Sequence, residues 1–435
     1  MSLEGAHASI MSGLPYGESQ PWNGISYPLA YYYNGVTYVA WQGANLDIYA
    51  ASYTSATGRW SAPVLVAHNP LSNINDDHGA PAIIVDNNGY IHIMYGQHDS
   101  AQKYVKSTNP EDISAWTTMP DPTPTTGGLP GEGRGSTCTS LLKDSSGYLY
   151  LIFRTNRVGE SIKEDLVIAI TKSTDGGATW SAPQDMVNVY TDSYLDRVCV
   201  FGGGAEYEAA TNRIHLTWNL FNNTVNKREN LYYAYLNLND NNMYSIDGRN
   251  LGSTIDQTEA DAYCKVVDSG AGALHEARVR VDASGYPYII YQAASGPCSL
   301  VNFLECGAWR FDFIKWTGSS WSAPVTITTT RRTTEGNEFF IHSSTDIEAY
   351  LVGGNATTGG DLERWSWDGS TWTKVSTVLA RSQVPYQLSF PTEVVNGGDF
   401  KIVFCERNDG GPTRFTIKTL RIFAYDTQLI VKRRS

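Results

Sequence analysis

The run Ser173-Thr174-Asp175-Gly176-Gly177-Ala178-Thr179-Trp180-Ser181-Ala182-Pro183 joins a tight turn to an aromatic anchor. In the pattern S-x-D-x-G-x-T-W, the Ser and Asp oxygens can take up turn N–H groups, glycine accepts positive φ, and the Trp packs between strands. Its closing tetrapeptide recurs as Trp60-Ser61-Ala62-Pro63 and Trp321-Ser322-Ala323-Pro324, with a variant at Trp372. A unit that ends the same way in distant parts of the chain points to an internal repeat.

Upstream of these endings the repeat has a second landmark. Alternating strands read Val36-Thr37-Tyr38-Val39-Ala40-Trp41, Ile91-His92-Ile93-Met94-Tyr95, Tyr148-Leu149-Tyr150-Leu151-Ile152-Phe153, Ile214-His215-Leu216-Thr217-Trp218 and Tyr288-Ile289-Ile290-Tyr291, with weaker copies at 347–352 and 400–405. Turns such as Asp86-Asn87-Asn88-Gly89, Asp144-Ser145-Ser146-Gly147 and Asp282-Ala283-Ser284-Gly285 precede them, so each unit is expected to open with a β-hairpin. The spacing predicts a seven-bladed β-propeller of four-stranded antiparallel blades, all-β throughout. The expected blades are 24–67, 78–120, 135–188, 196–252, 275–329, 334–379 and 383–426, in a single domain over 1–435. Residues 1–23 and a last strand near 415–425 are expected to close the ring.

Composition agrees with that reading. Charged residues are 17%, below the usual quarter or so, and 40 Gly, 18 Pro, 27 Tyr, 12 Trp and 13 Phe suit short strands and tight turns rather than coiled coil or disorder. The net charge of −12 gives no electrostatic footprint for nucleic acid, so an anionic ligand has to be held by local Arg or His. No apolar run reaches the length of a membrane span. Met1-Ser2-Leu3-Glu4-Gly5 lacks a basic segment followed by an apolar one, and a secreted protein already separated from its signal is the expectation. Cysteines stand at 138, 199, 264, 298, 306 and 405 without a CxxC pair. Cys298 and Cys306 suit either a local disulfide or buried reduced thiols.

Strands alternate in direction within a blade, so the start of the first strand and the end of the second emerge on one face. His78 holds the first location and His98 the second in the second blade. The ends of other second strands supply Gln42, Arg154, Asn219, Gln292 and Glu406, and first-strand starts supply Arg197 and His275. Arginines that clamp a carboxylate, amides that read hydroxyls and histidines that move protons suit an anionic sugar. His92 and His215, at mid-strand, read instead as packed residues.

These residues resemble the BNR/Asp-box-repeat propellers, which include ulvan lyases and related polysaccharide lyases acting on rhamnose-glucuronate linkages. The likeness is most specific in His78-Gly79-Ala80-Pro81-Ala82-Ile83, Asn88-Gly89-Tyr90-Ile91-His92 and Tyr95-Gly96-Gln97-His98, where the two histidines match the family's catalytic pair. Residues 147–154 look like the strand that ends in its carboxylate-binding Arg, and Arg213-Ile214-His215-Leu216-Thr217-Trp218 with Asn230-Leu231-Tyr232-Tyr233-Ala234 matches a further signature. The octet 173–180 corresponds to the Asp box, which lies away from the ligand face in such propellers, so Asp175 is expected to be structural.

The resemblance implies β-elimination at a uronic acid, with His78 and His98 as base and acid in unassigned order and Arg154, helped by Arg197, on the carboxylate. His275, Asn219, Gln42 and Gln292 complete the expected substrate-binding set. One departure stands out: Cys138 occupies the place of the family's catalytic Tyr, sixteen residues before Arg154, and Tyr95 or Tyr207 is the candidate replacement phenol. No cofactor is required by this chemistry. Such propellers can hold a structural calcium or zinc ion, but no ligand spacing marks one here. The expected partner is an anionic, uronate-containing polysaccharide, with no nucleic acid and no membrane, and the protein is expected to be a monomer. A sialidase-like glycoside hydrolase and a non-catalytic carbohydrate-binding propeller are the alternatives. Against the first stand a single complete box and the lack of an Arg-Ile-Pro motif near the start. Against the second, the rim residues differ from blade to blade.

Overall fold

At Asp86–Gly89 the chain reverses because Gly89 takes φ 84° and the Asp86 carboxylate accepts the N–H groups of Asn88 and Tyr90, each at 2.9 Å. Ala82–Val85 then pairs antiparallel with Ile91–Tyr95, Val85 opposite Ile91, and both strands are wholly buried. Such hairpins are the unit from which the molecule is built. The computed structural model describes residues 7–11, 26–70, 79–96, 101–122, 136–155, 167–189, 196–199, 204–222, 227–296, 308–330, 336–354, 360–380, 386–388, 391–409 and 417–426.

Adding two further strands to each hairpin yields four-stranded antiparallel sheets in simple sequential order. One contains Ala82–Val85, Ile91–Tyr95, Lys103–Ser107 and Trp116–Thr118, and the next Ser136–Lys143, Leu149–Thr155, Val167–Ser173 and Gln184–Asn188. Two more follow the same plan, from Ala273–Val281 to Val325–Thr330 and from Asn337–Ser343 to Trp372–Leu379. Between them lies a modified sheet around Arg213–Asn222 and Lys227–Asn237. Its first position is split between Asp196–Cys199 and Ala205–Glu208, and its outer position between Asn242–Tyr244 and Lys265–Val267. That sheet therefore extends past residue 252, the expected end of its unit.

The remaining strands form one ten-stranded sheet made of two sequential sets. Ala30–Tyr33 lies parallel to Thr392–Val395, with Ala30 opposite Val394, which couples an early set to the last one. His7–Met11 pairs antiparallel with Ile417–Asp426, His7 opposite Asp426. First strands of successive sheets lie against one another, Ala30–Tyr33 on Ala82–Val85, Ser136–Lys143 on both Ala82–Val85 and Ala205–Glu208, and Ala273–Val281 on Asn337–Ser343. The fold is all-β and has the organisation of a β-propeller.

Apolar side chains fill the spaces between sheets. Ile83, Ile93, Leu141, Leu151 and Phe153, all fully buried, belong to one such layer, and each contributes about 1.5–3 kcal/mol by leaving water. The recurring Trp residues explain their own repetition. Trp180 meets Tyr104 of the preceding sheet edge-on (6.1 Å, 85°), and Trp321 meets Tyr233 in the same way (5.5 Å, 72°). Gly177 is required at this junction, since a Cβ there would lie 1.8 Å from the Tyr104 hydroxyl. Among the described residues no helix is long and apolar enough to cross a membrane.

Candidate active site

Antiparallel pairing sets the start of each first strand against the end of the second. Thr137 lies opposite Arg154, Cys199 opposite Asn219, and His275 opposite Gln292. Gln42 ends its own second strand, Val36–Gln42. The fold thus gathers Arg154, Asn219, His275, Gln292 and Gln42 at the same end of their strands, away from the hairpin turns. All five are buried, Arg154 being 9% exposed and the others 2% or less.

His78 and His98 lie outside the described residues, as does the side chain of Arg197. The flanking backbone is present: the Gly96 N–H donates to the Gly79 carbonyl at 3.2 Å, joining the residue after His78 to the one two before His98. Arg197 and Arg228 both stand opposite Phe221, one on either side of it, and the Arg228 guanidinium lies 5.8 Å from the centre of that ring. Arg228 escaped the sequence reading because it opens a third strand rather than closing a second.

Burial alters what several of these groups can do. Desolvation, reinforced by the Arg228 charge, holds the His275 imidazole well below its ordinary pKa, so this ring is neutral at physiological pH. It packs edge-on against Trp309 with Nδ1 3.4 Å from Glu276 Oε1, and in its neutral form it offers no charge to an anion. Asn219 donates its amide to the Asn230 carbonyl at 2.5 Å, which commits that donor to the sheet.

Cys138 and Glu276 occupy matching irregularities. Each follows the residue opposite its second-strand end, each has positive φ (57° and 43°), and the register shifts at both. Cys138 is 3% exposed. Tyr95 is buried at the end of Ile91–Tyr95, on the same end of the sheet as Arg154. Tyr207 is not: it lies opposite Ile214, near the hairpin end of its sheet, where its hydroxyl bonds Ser145 Oγ (3.1 Å) and Asn212 Oδ1 (3.2 Å). Its place beside the hairpin removes it as the replacement phenol.

The mid-strand histidines are fully inside the protein. His92 bridges Tyr104 (2.5 Å) and Asp86 (3.1 Å), and His215 reaches Tyr233 at 2.5 Å and Glu208 at 3.7 Å. Asp175 makes its bonds within its own turn, to Ser173, Thr179 N–H and Thr179 Oγ1, and the Thr179 contacts hold its carboxyl at about 2. Cys138, Cys264 and Cys405 are buried, whereas Cys298 and Cys306 lie outside the described residues. Among the described residues no group of three or more His, Cys, Asp or Glu is arranged to hold a metal ion.

A family model described as BNR repeat-containing family member matches residues 36–327, and the chain belongs to that family. It is 24% identical over 398 residues to an ulvan lyase of Alteromonas sp. (strain LOR), covering 84% of this chain and 78% of the relative. A second relative, Ulvan Lyase-PL25 of Pseudoalteromonas sp. (strain PLSV), is 24% identical over 406 residues, covering 86% of this chain and 78% of the relative. The solved structure of a PL25 ulvan lyase bound to -[GlcA(1-4)Rha3S]- superposes with TM-score 0.78 at 19% identity, covering 96% of this chain and 98% of that one.

Proposed function

We propose that this protein is a polysaccharide lyase that cleaves a glucuronate-containing, rhamnose-linked polysaccharide by β-elimination. The observation that carries the reading is the likeness to ulvan lyases along most of the chain, together with the family match over residues 36–327, the span in which His78, His98 and Arg154 stand. The Gly79–Gly96 bond supports it, because it ties together the two segments that bear the histidines.

In this reading Arg154, with Arg197, neutralises the uronate carboxylate and so acidifies the C5 proton beside it. One of His78 and His98 takes that proton. The electron pair forms the C4–C5 double bond as the C4–O bond breaks, and the other histidine protonates the departing oxygen. His275, Gln292, Gln42 and Asn219 shape and hydrogen-bond the surrounding subsite, with Arg228 adding positive field. No cofactor takes part in these proton transfers, and a structural calcium or zinc ion elsewhere would leave them unchanged. We take the chain as one domain of seven blades, closed by the pairing of His7–Met11 with Ile417–Asp426, acting outside the cell as a monomer on an anionic polymer.

Incubation with ulvan, gum arabic and other uronate polymers tests the reaction through the ultraviolet absorbance of the conjugated uronate. A rise establishes elimination and identifies the polymer. New reducing ends without absorbance point to hydrolysis, and no product to a binding propeller. His78→Ala and His98→Ala are each expected to lower kcat at least about 100-fold with an unchanged melting temperature, since acid–base groups contribute about 10²–10⁴. Arg154→Ala is expected to raise KM and lower kcat together. Wild-type rates in His78→Ala would overturn the assignment.

A further inference from the structure

Opposite the end that carries Arg154, the first strands surround a second opening. A cavity of about 700 Å³ lies among Tyr27, Tyr31, Glu206, Tyr207, Arg280 and Glu393, with the turn residues Asn87, Ser145 and Asn396 at its mouth. This volume is in the range of small-molecule sites. Because Asn87, Ser145 and Asn396 belong to hairpin turns, the cavity opens on the hairpin face.

Its floor is a built polar cluster. Glu338, fully buried, accepts from Arg278 (2.6 Å), Arg280 (2.7 Å) and the Glu393 N–H (2.9 Å), while Glu393 accepts from Arg280 and from the Tyr27 hydroxyl, both at 3.0 Å. Arg280 is 6% exposed, yet its Nε–H finds no hydrogen-bond partner among the described residues. Nor does Glu206 Oε2, which stands 3.8 Å from Arg280 Nη1, beyond hydrogen-bonding reach. A buried donor and a buried acceptor left open each cost about 1–3 kcal/mol unless something else satisfies them.

We propose that this cavity is a second ligand site, selective for a neutral sugar or similar small polyol. A hydroxyl both accepts and donates, so the several hydroxyls of one ring can serve both the Arg280 donor and the Glu206 acceptor, which neither a simple cation nor a simple anion can do. The tyrosines supply flat apolar surface for a ring, and Asn87, Ser145 and Asn396 supply further hydrogen bonds at the rim. A uronate or sulfated sugar is disfavoured because the Arg280 guanidinium is already shared by Glu338 and Glu393, and the Lys143 ammonium on the wall is drawn to the Val85 carbonyl. The site is independent of the lyase reading and lies at the other end of the first strands.

Saturation-transfer NMR and calorimetry on the intact protein, with glucose, rhamnose, xylose, cellobiose and glucuronate as probes, test this directly. At least one neutral probe is expected to bind saturably at tens of millimolar or below, and more tightly than glucuronate. Glu206→Leu removes the acceptor, and Asn87→Trp fills the mouth without touching the buried cluster. Each is expected to weaken that binding at least tenfold. If Glu206→Leu does not fold, Asn87→Trp alone decides. Absence of saturable binding by every neutral sugar, tighter binding of glucuronate, or unchanged affinity in folded Asn87→Trp would overturn the proposal, whatever the outcome on polymeric substrates.

Discussion

Cys138 sits in the left-handed region within an otherwise extended strand, where the register slips between Thr137 and Ser140. The spacing to Arg154 marked this position as a departure from the family, but the irregularity itself depends on the partner strand and leaves no local signature. Glu276 shows the same thing in another sheet and was missed for that reason. A thiol is a weak hydrogen-bond donor and a poor stand-in for a phenol, so Cys138→Ala is expected to keep kcat/KM within a few-fold of wild type. A loss as large as that of Arg154→Ala would instead give the thiol a part in the proton transfers. Reading Arg154, His275 and Gln292 as one edge required only strand alternation. Their depth in the protein, and the neutral state of His275 that follows from it, did not follow from spacing because burial depends on the sheets packed on either side.

Among the described strands and turns, one device is used three times. Asp86, Asp144 and Asp282 each accept two turn N–H groups through one oxygen and reach, through the other, the side chain six residues on. That side chain is His92 at 3.1 Å, Tyr150 at 3.0 Å and Tyr288 at 3.3 Å. The Asp-x-x-Gly turn was readable directly. Its second bond was not, since it depends on which way the side chain near the start of the following strand faces. Asp86→Ala strands the fully buried His92, and is expected to cost about 3 kcal/mol, against about 1 kcal/mol for Asp282→Ala at its more open turn. Urea unfolding midpoints of the two variants measure the difference, and equal losses would mean that the turn bonds alone matter.

For the whole molecule, the repeat was legible because several units carry both an Asp–Gly hairpin turn and a Trp ending. The polar centre was hidden, because Tyr27 and Glu393, which share a hydrogen bond, are 366 residues apart. This buried chemistry should govern stability against pH. Burial lowers the pKa of His92, His215 and His275, so the unfolded chain takes up their protons first, and the stability present above about pH 6.5 is lost as the pH falls below it. Glu206 works in the opposite sense. Desolvation pushes it up to about 8, so the folded state keeps a proton that the unfolded state releases above about pH 4.3, and stability drops as pH rises toward 8. Melting temperatures are therefore expected to decline on both the acid and the alkaline side. Glu206→Gln should flatten the alkaline decline, and an unchanged alkaline limb would assign it to another group.

The pairing of His7 with Asp426 also has a mechanical side. In this antiparallel ladder the leading end of one strand lies beside the trailing end of the other, so tension applied through the two chain ends would load a single rung at a time. The molecule should peel open from that seam under modest force, while a pull applied along the strands, across Ala30–Tyr33 and Thr392–Val395, would have to shear several rungs at once.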